Sequence, residues 1–122
     1  MKNTAFSFNY NGTKIPVVDH DNTYYVPITP ICELLEVDYQ KQLNFLRQND
    51  LCTNRITTLV VEDGNKPGFR AMVCLPLMLA VGWIPNIKSN RLGFDQELIA
   101  FLESFFAFTK QIEQMKPTYW WN

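Results

Sequence analysis

Three short segments with the two-residue period of β-strands open the chain, and turn sequences separate them. In the first segment Phe6, Phe8 and Tyr10 alternate with polar residues, which is typical of a half-buried strand. Asn11-Gly12 follows, and both of these residues tolerate the positive φ angles of a two-residue hairpin turn. The second segment, the next turn and the third segment are residues 13–18, 20–22 and 23–26. The pattern predicts a three-stranded antiparallel meander.

Two helices are predicted to follow the meander. Thr29 is the expected N-cap of the first helix, which has Pro30 at its first position and ends at Glu36. Asp38 is the expected N-cap of the second helix, which continues to about Asn49. On a 3.6-residue period, one side of the second helix carries Tyr39, Leu43 and Leu46, and the other carries Gln40, Lys41, Asn44, Arg47 and Gln48. The apolar side is expected to face the core.

A second hairpin comes next in the predicted order of elements. Residues 57–61 and 69–75 are β-branched and apolar, and the turn-rich sequence 62–68 lies between them. A short apolar helix is then predicted to start at Leu75-Pro76-Leu77 and to end near Gly82.

The last predicted helix is the longest, extending from Asp95 as its N-cap to about Gln114. Its apolar face consists of Leu98, Phe101, Leu102, Phe105, Phe108 and Ile112. Ile99 and Phe106 widen that face to about half of the circumference, which exceeds what one packing contact needs. Such a helix either packs against both the sheet and a neighbouring helix or offers surplus apolar surface to a partner.

Together these elements predict an α+β fold in a single domain over residues 1–122: a small antiparallel β meander and a second β-hairpin, packed with about four helices. The composition agrees, because 47% of the residues are hydrophobic and 19% are charged, which favours one sizeable core. Eleven basic and twelve acidic residues give a net charge of −1. This balance argues against a strong, sequence-independent hold on nucleic acid.

The residues that catalysis or metal binding needs are few. His20 is the single histidine, so neither a Ser-His or Cys-His pair nor a metal site is expected. Cys32, Cys52 and Cys74 are far apart without a C-x-x-C spacing, which is typical of reduced, buried thiols. The chain shows no signal peptide and no apolar run of the ~20 residues that a membrane span requires. We therefore expect a soluble, cytoplasmic protein that is not an enzyme and has no cofactor and no membrane partner.

Several strings, in this order, resemble the N-terminal domain of phage antirepressor proteins of the Ant type, which is similar to the Bro-type N-terminal domains of other viral regulators. The resemblance covers the chain from about Phe6 to Trp121. It rests on Tyr25-Val26-Pro27 with Pro30-Ile31, Asp38-Tyr39 before Gln42 and Leu46, Cys74-Leu75-Pro76-Leu77, Gly82-Trp83-Ile84 and Tyr119-Trp120.

The resemblance implies regulation of transcription in a phage or prophage, inside a bacterial host cell. Antirepressors relieve repression by binding the phage repressor, and related N-terminal modules are described as DNA-binding. This sequence departs from the family where DNA contact matters. Members carry basic residues in the helix that Asp38 opens, where this chain has Leu43-Asn44-Phe45, and residues 78–81 are unusually apolar. Both departures favour a protein partner.

Two hypotheses of function follow. The first is protein–protein interaction with a repressor or other regulatory protein, or with a second copy of the chain. The candidate interface residues are Phe106, Phe108, Tyr119, Trp120 and Trp121. The alternative for the aromatic tail is that it folds back and closes the core.

The second hypothesis is sequence-specific DNA binding by the helix 38–49, whose amides and guanidinium match the hydrogen-bonding edges of bases. The candidate residues are Gln40, Lys41, Asn44, Arg47 and Gln48, with Arg55 and Lys66 as extensions of the same patch. The alternative is that this is the solvated face that any surface helix has. Of the two hypotheses, the sequence favours protein–protein interaction.

Overall fold

The structure, a computed structural model, describes residues 3–115 of the chain. Five strands and four α-helices form the fold, and a one-turn 3-10 helix follows the third α-helix. The strands are β1 (Thr4–Tyr10), β2 (Thr13–His20), β3 (Thr23–Pro27), β4 (Thr57–Glu62) and β5 (Phe69–Pro76). The helices are α1 (Ile28–Leu35), α2 (Tyr39–Gln48), α3 (Leu77–Trp83), the 3-10 helix Ile84–Asn86, and α4 (Phe94–Met115).

All five strands belong to one antiparallel sheet in the order β1-β2-β3-β5-β4. The meander supplies the first three strands, and the second hairpin joins it through pairing of β3 with β5. The turns at Asn11-Gly12 and Asp21-Asn22 have positive φ at both residues, which is the geometry of tight hairpin turns. The predicted α+β fold, with the C-terminal helix longest, is confirmed.

The two central strands end in the same way. Val26 pairs with Leu75, and the next residue of each strand is a proline, Pro27 or Pro76, that serves as the N-cap of a helix. Each proline has extended backbone angles, so the chain turns into a helix at the following residue. The structure thus places two strand–proline–helix units side by side.

This arrangement corrects two predicted helix starts. Helix α1 begins at Ile28, with Pro27 as its N-cap, so Thr29 is not the cap and Pro30 lies inside the first turn. A proline is tolerated there because the first N–H groups of a helix have no partner within it. Helix α3 begins at Leu77, since Leu75 and Pro76 are still paired with β3.

The predicted N-cap of α4 is wrong, because Asp95 is already helical, whereas the cap of α2 is confirmed. The Asp38 side chain accepts a hydrogen bond from the Lys41 N–H at 2.9 Å. Helix α4 begins at Phe94, and the Glu97 N–H donates to the carbonyl of Gly93 at 3.2 Å. Asp95 therefore lies within the first turn, where its charge complements the helix dipole.

The main core lies between one face of the sheet and the helices. Helix α4 contributes Phe94, Phe101 and Phe105, all fully buried. Phe8 of β1 packs edge-on against Phe101 and Phe105, at ring-centroid distances of 5.8 and 5.4 Å. This aromatic group holds α4 along the β1 side of the sheet.

A second, smaller core lies under the β4–β5 hairpin. Its buried members are Val18, Leu59, Val61, Met72 and Cys74. The end of this hairpin reaches β2, where the Asn65 side chain accepts from the Lys14 N–H and donates to the Lys14 carbonyl, both at 2.9 Å. One amide side chain thus satisfies the two backbone groups of Lys14, as a neighbouring strand would.

Candidate interaction surfaces

Helices α1 and α2 are joined by three residues, 36–38, and together form a helix–turn–helix. Glu36 has left-handed backbone angles, φ 55° and ψ 46°, and its N–H and that of Val37 bond to carbonyls in the last turn of α1. Such a turn ends one helix and redirects the chain within a few residues, and α2 then packs on the main core through Leu43 and Leu46.

The five polar residues predicted on the outer face of α2 are all exposed: Gln40, Lys41, Asn44, Arg47 and Gln48. Gln40 Nε2 donates to Asn44 Oδ1 at 3.1 Å, so these two amides form one unit. Leu43 and Leu46 are buried as predicted, and Tyr39 is half-buried. The structure therefore brings these five residues together on one surface, which we call the α2 face.

Gln42 fixes the rotation of α2 about its axis. Its Oε1 accepts a hydrogen bond from the indole Nε1–H of Trp83, at 3.0 Å, and Trp83 is 2% exposed. The bond joins α2 to the end of α3 across the core boundary. The two residues are far apart in the sequence, so the polar pattern of α2 alone did not indicate this role for Gln42.

Arg91 is a second residue that the sequence analysis missed. Its guanidinium contacts Glu97 at 2.8 Å and Glu36 at 3.8 Å, and donates to the Leu35 carbonyl at 3.0 Å. It also lies over the Phe94 ring, 5.5 Å from the centroid. Arg91 therefore ties the end of α1 and the interhelical turn to the start of α4.

The loop before Arg91 adds one cation beside the α2 face. Lys88 and Lys41 line the same cleft of about 360 Å³ at the start of α2. Glu36 and Asp38 also line this cleft, so its charge is mixed. The cleft does not form a purely basic patch.

The structure places Arg55 and Lys66, which were expected to extend the α2 face, far from each other. Arg55 is exposed between α2 and the start of β4, whereas Lys66 lies in the turn beyond the end of β4. A six-residue strand separates them by roughly 20 Å at the usual rise. Lys66 instead lines a cleft with Glu33, Asp63 and Arg70.

The apolar residues that α4 leaves outside the core form a stripe on one side of the helix. Ile99, Leu102 and Phe106 have the spacing i, i+3, i+7 and therefore share a face. Ile99 is 56% exposed and Phe106 is 49% exposed, while Leu102 is half-buried. We call these three residues the α4 stripe.

Leu102 and Phe106 of the α4 stripe line one side of a groove whose other side is formed by α3 and the 3-10 helix. The groove has a volume of about 300 Å³, and its apolar lining residues are Val81, Pro85, Leu102, Phe105 and Phe106. Glu103 lies at its edge, and the Lys110 ammonium lies 5.0 Å from the centroid of the Phe106 ring. We call this the α3–α4 groove.

The other aromatic candidates lie elsewhere. Phe108 is half-buried and packs against Phe8 at a ring distance of 5.1 Å, so it belongs to the edge of the main core. Tyr119, Trp120 and Trp121 lie outside the described residues. Phe106 is therefore the candidate interface residue that the structure places at an exposed apolar surface.

Two buried thiols have raised pKa values. Burial raises the pKa of Cys32 to about 12, with Glu33 and Asp38 adding to the effect, and burial raises the pKa of Cys74 to about 12 as well. Across residues 3–115, no group of His, Cys, Asp and Glu is arranged to hold a metal ion. No helix in this range is both long and apolar enough to cross a membrane.

Comparison with known proteins identifies the class to which this fold and these surfaces belong, that of phage antirepressor N-terminal domains. The family model described as "P22_AR N-terminal domain" matches residues 7–115, and the chain belongs to that family. Searches of curated proteins and of solved structures gave no match. The family match spans every helix and almost all of the sheet.

Proposed function

We propose that the chain regulates transcription in a phage or prophage, in the cytoplasm of the bacterial host, by binding a repressor or another regulatory protein. We further propose that it binds without catalysis and without a cofactor. The observation that carries the proposal is the α3–α4 groove, an apolar surface on a domain whose core is otherwise complete.

Several properties of the groove support a protein ligand. Val81 of α3 and Pro85 of the 3-10 helix line one side of it, and α4 supplies apolar side chains on the other. An apolar groove between helices is a type of site that receives one helix of a partner. Phe106 is a half-exposed aromatic at its wall, and such residues are enriched where interfaces bury most of their energy. Exposed apolar patches on small domains commonly mark such sites.

The experiment is affinity capture from a nuclease-treated lysate of a lysogen, followed by reconstitution with the captured regulator in pure form. We expect Phe106→Glu to weaken binding of the regulator at least about tenfold, because the aromatic contact is lost and a charged group replaces it at an apolar surface. Phe45→Glu is the matched control, since Phe45 is also on a helix and is 44% exposed.

The control separates a groove effect from a general effect of charge. Equal losses in Phe106→Glu and Phe45→Glu, or full binding by Phe106→Glu, would exclude the α3–α4 groove as the binding surface. Circular dichroism of both variants verifies that the fold is retained, because neither side chain is part of the buried core.

The helix–turn–helix supports DNA binding as a second candidate function. The observation that favours it is the exposure of all five side chains of the α2 face, which has the amides and cations that read base edges and phosphates. Lys41 is expected to contact phosphate, Arg47 a guanine, and Gln40 with Asn44 an adenine.

Duplex binding as a function of salt concentration tests this candidate. DNA contact by the α2 face predicts that Arg47→Ala and Lys41→Ala lower the affinity, by about 1–3 kcal/mol for a bidentate base contact. Lys66→Ala is the control, because the structure places Lys66 away from the α2 face. Affinity that does not fall with rising salt argues against DNA as the ligand.

A further inference from the structure

The α4 stripe differs from a simple apolar patch, because side chains of opposite charge lie before and after Phe106 along the helix. Glu103 precedes Phe106 by about one helical turn, and Lys110 follows it by about one turn. Both belong to the groove region, since Glu103 lines the groove and Lys110 lies over the Phe106 ring. Phe106 therefore has an acidic neighbour on its N-terminal side and a basic neighbour on its C-terminal side.

We infer that the α3–α4 groove is a self-association site, where a second copy of the chain packs its α4 antiparallel and inserts its Phe106 into the groove. This inference rests on the proposed function, because it names an occupant of the same surface. A regulatory protein that binds the groove then competes with the second copy.

The charge pattern carries the choice of occupant. In a dimer with two-fold symmetry, two identical helices run antiparallel, and each surface must complement itself. With Phe106 near the symmetry axis, Glu103 of each copy lies opposite Lys110 of the other, which forms two equivalent ion pairs. A surface with like charges at both positions repels its copy in this arrangement.

The length of α4 also fits such a contact. The helix has 22 residues, which corresponds to about 33 Å, and the stripe lies in its middle. Glu113 follows Phe106 by two turns, where the facing residue of the other copy is close to Ile99. Consequently no carboxylate of one copy faces a carboxylate of the other along the stripe.

Sedimentation velocity of the full chain over a range of concentrations tests the inference. We expect a concentration-dependent dimer, a dissociation constant at least about tenfold higher in Phe106→Glu, and an unchanged dimer in Phe45→Glu. Glu103→Lys and Lys110→Glu are each expected to weaken the dimer, and the double variant to restore it. A monomer at every concentration, or a double variant weaker than both single variants, overturns the inference.

Cross-linking gives a second readout that does not depend on affinity. Phe106→Cys is expected to form a disulfide-linked dimer on mild oxidation, because the two side chains lie beside the symmetry axis. Cys32, Cys52 and Cys74 are buried and do not compete for the new thiol. Leu92→Cys, at a fully exposed loop position, is the control. The inference is also overturned if Leu92→Cys cross-links as well as Phe106→Cys or better.

The outcomes distinguish this inference from the proposed function. If the chain is monomeric but Phe106→Glu still loses the regulator, only the self-association is wrong. If the dimer forms as described but Phe106→Glu retains full binding of the regulator, the inference holds and the proposed role of the groove in regulator binding fails.

Discussion

Helices α2 and α4 each leave one face outside the core, and the two faces differ in kind. Helix α2 buries only Leu43 and Leu46, and its outer face is polar apart from Phe45, which is 44% exposed. Helix α4 buries six side chains and still exposes Ile99 and Phe106. A polar face is what any surface helix presents to water, whereas apolar side chains beyond the needs of the core indicate a surface that another molecule covers.

The difference follows from how each helix is held. Helix α2 is oriented by polar contacts at its borders, through Asp38 at its cap and Gln42 at Trp83. Helix α4 is held by aromatic rings along its length, and neither Ile99 nor Phe106 of the stripe is among its buried side chains. The α4 stripe can therefore change its contacts while the core stays intact.

The largest expected effect compares two phenylalanines of α4. Phe101 is fully buried and Phe106 is half-exposed, so Phe101→Ala is expected to lower the free energy of unfolding by about 3–5 kcal/mol. Phe106→Ala is expected to change it by no more than about 0.5 kcal/mol. Urea denaturation at a concentration where the chain is monomeric measures both.

Similar losses in the two variants would show that the stripe belongs to the core after all. In that case the exposure of Phe106 would not mark an interface, and the contrast between the α2 face and the α4 stripe would disappear. A small effect of Phe106→Ala on stability, together with a large effect on binding, sharpens the contrast.

The sequence predicted the features that depend on local pattern. The strand alternation, the Asn11-Gly12 turn and the Asp38 cap each depend on neighbouring residues, and all three are present in the structure. The start of α1 was misplaced because two signals competed. Thr29-Pro30 resembles a capped helix start, but Pro27 ends its strand and begins the helix first.

The surfaces depend on contacts that local pattern does not contain. The width of the α4 apolar face was visible in the sequence, but the part left exposed is decided by where α3 and the 3-10 helix pack. The bonds of Gln42 with Trp83 and of Asn65 with Lys14 join residues 41 and 51 positions apart. An amphipathic pattern assigns such residues to a face and cannot assign them a partner.

The β4–β5 hairpin provides a prediction that involves neither surface. Asp63 is buried and bonds to Arg70 at 2.8 Å and to the Asn65 N–H at 2.9 Å. Burial raises the pKa of Asp63, but these hydrogen bonds outweigh burial and hold the pKa below its ordinary value of 3.8. Asp63→Asn is expected to cost about 1–3 kcal/mol at neutral pH, measured by urea denaturation.

The pH dependence of this contribution has a defined sign. Because the folded state lowers the pKa of Asp63, its ionised form stabilises the fold above the unfolded pKa, about 3.9, and the stabilisation is lost as the pH falls through the folded value. The difference between wild type and Asp63→Asn should therefore shrink below about pH 4. A difference that is constant from pH 7 to pH 3 would contradict this account. Asp63→Asn should leave self-association through the α3–α4 groove unchanged at neutral pH.

Gln42→Leu tests how α2 is oriented. The substitution leaves the buried Trp83 N–H without its acceptor, which is expected to cost about 1–2 kcal/mol. Gln40→Leu, at an exposed position of the same helix, is the control and is expected to stay within about 0.5 kcal/mol. Thermal unfolding of both variants measures the difference, and equal stability would mean that the Gln42–Trp83 bond does not anchor α2.

The smallest expected effect is a gain in stability at the turn between α1 and α2. Glu36 occupies the left-handed region, where a side chain costs about 1 kcal/mol that glycine does not incur. Glu36→Gly is therefore expected to raise the free energy of unfolding by roughly 0.5–1 kcal/mol. Its contact with Arg91, at 3.8 Å and largely exposed, offsets little of this gain.

Glu36→Ala separates backbone strain from charge, because it removes the carboxylate and keeps the left-handed conformation of a residue with a Cβ atom. Glu36→Ala should show no gain in the free energy of unfolding measured by chemical denaturation, and a gain equal to that of Glu36→Gly would assign the effect to charge.

The same pair of variants tests whether the two surfaces are independent. The turn positions the α2 face but touches no residue of the α4 stripe, so both variants should self-associate like wild type. A changed dimerisation constant in Glu36→Gly alone would show that the backbone of the turn couples the α2 face to the α3–α4 groove.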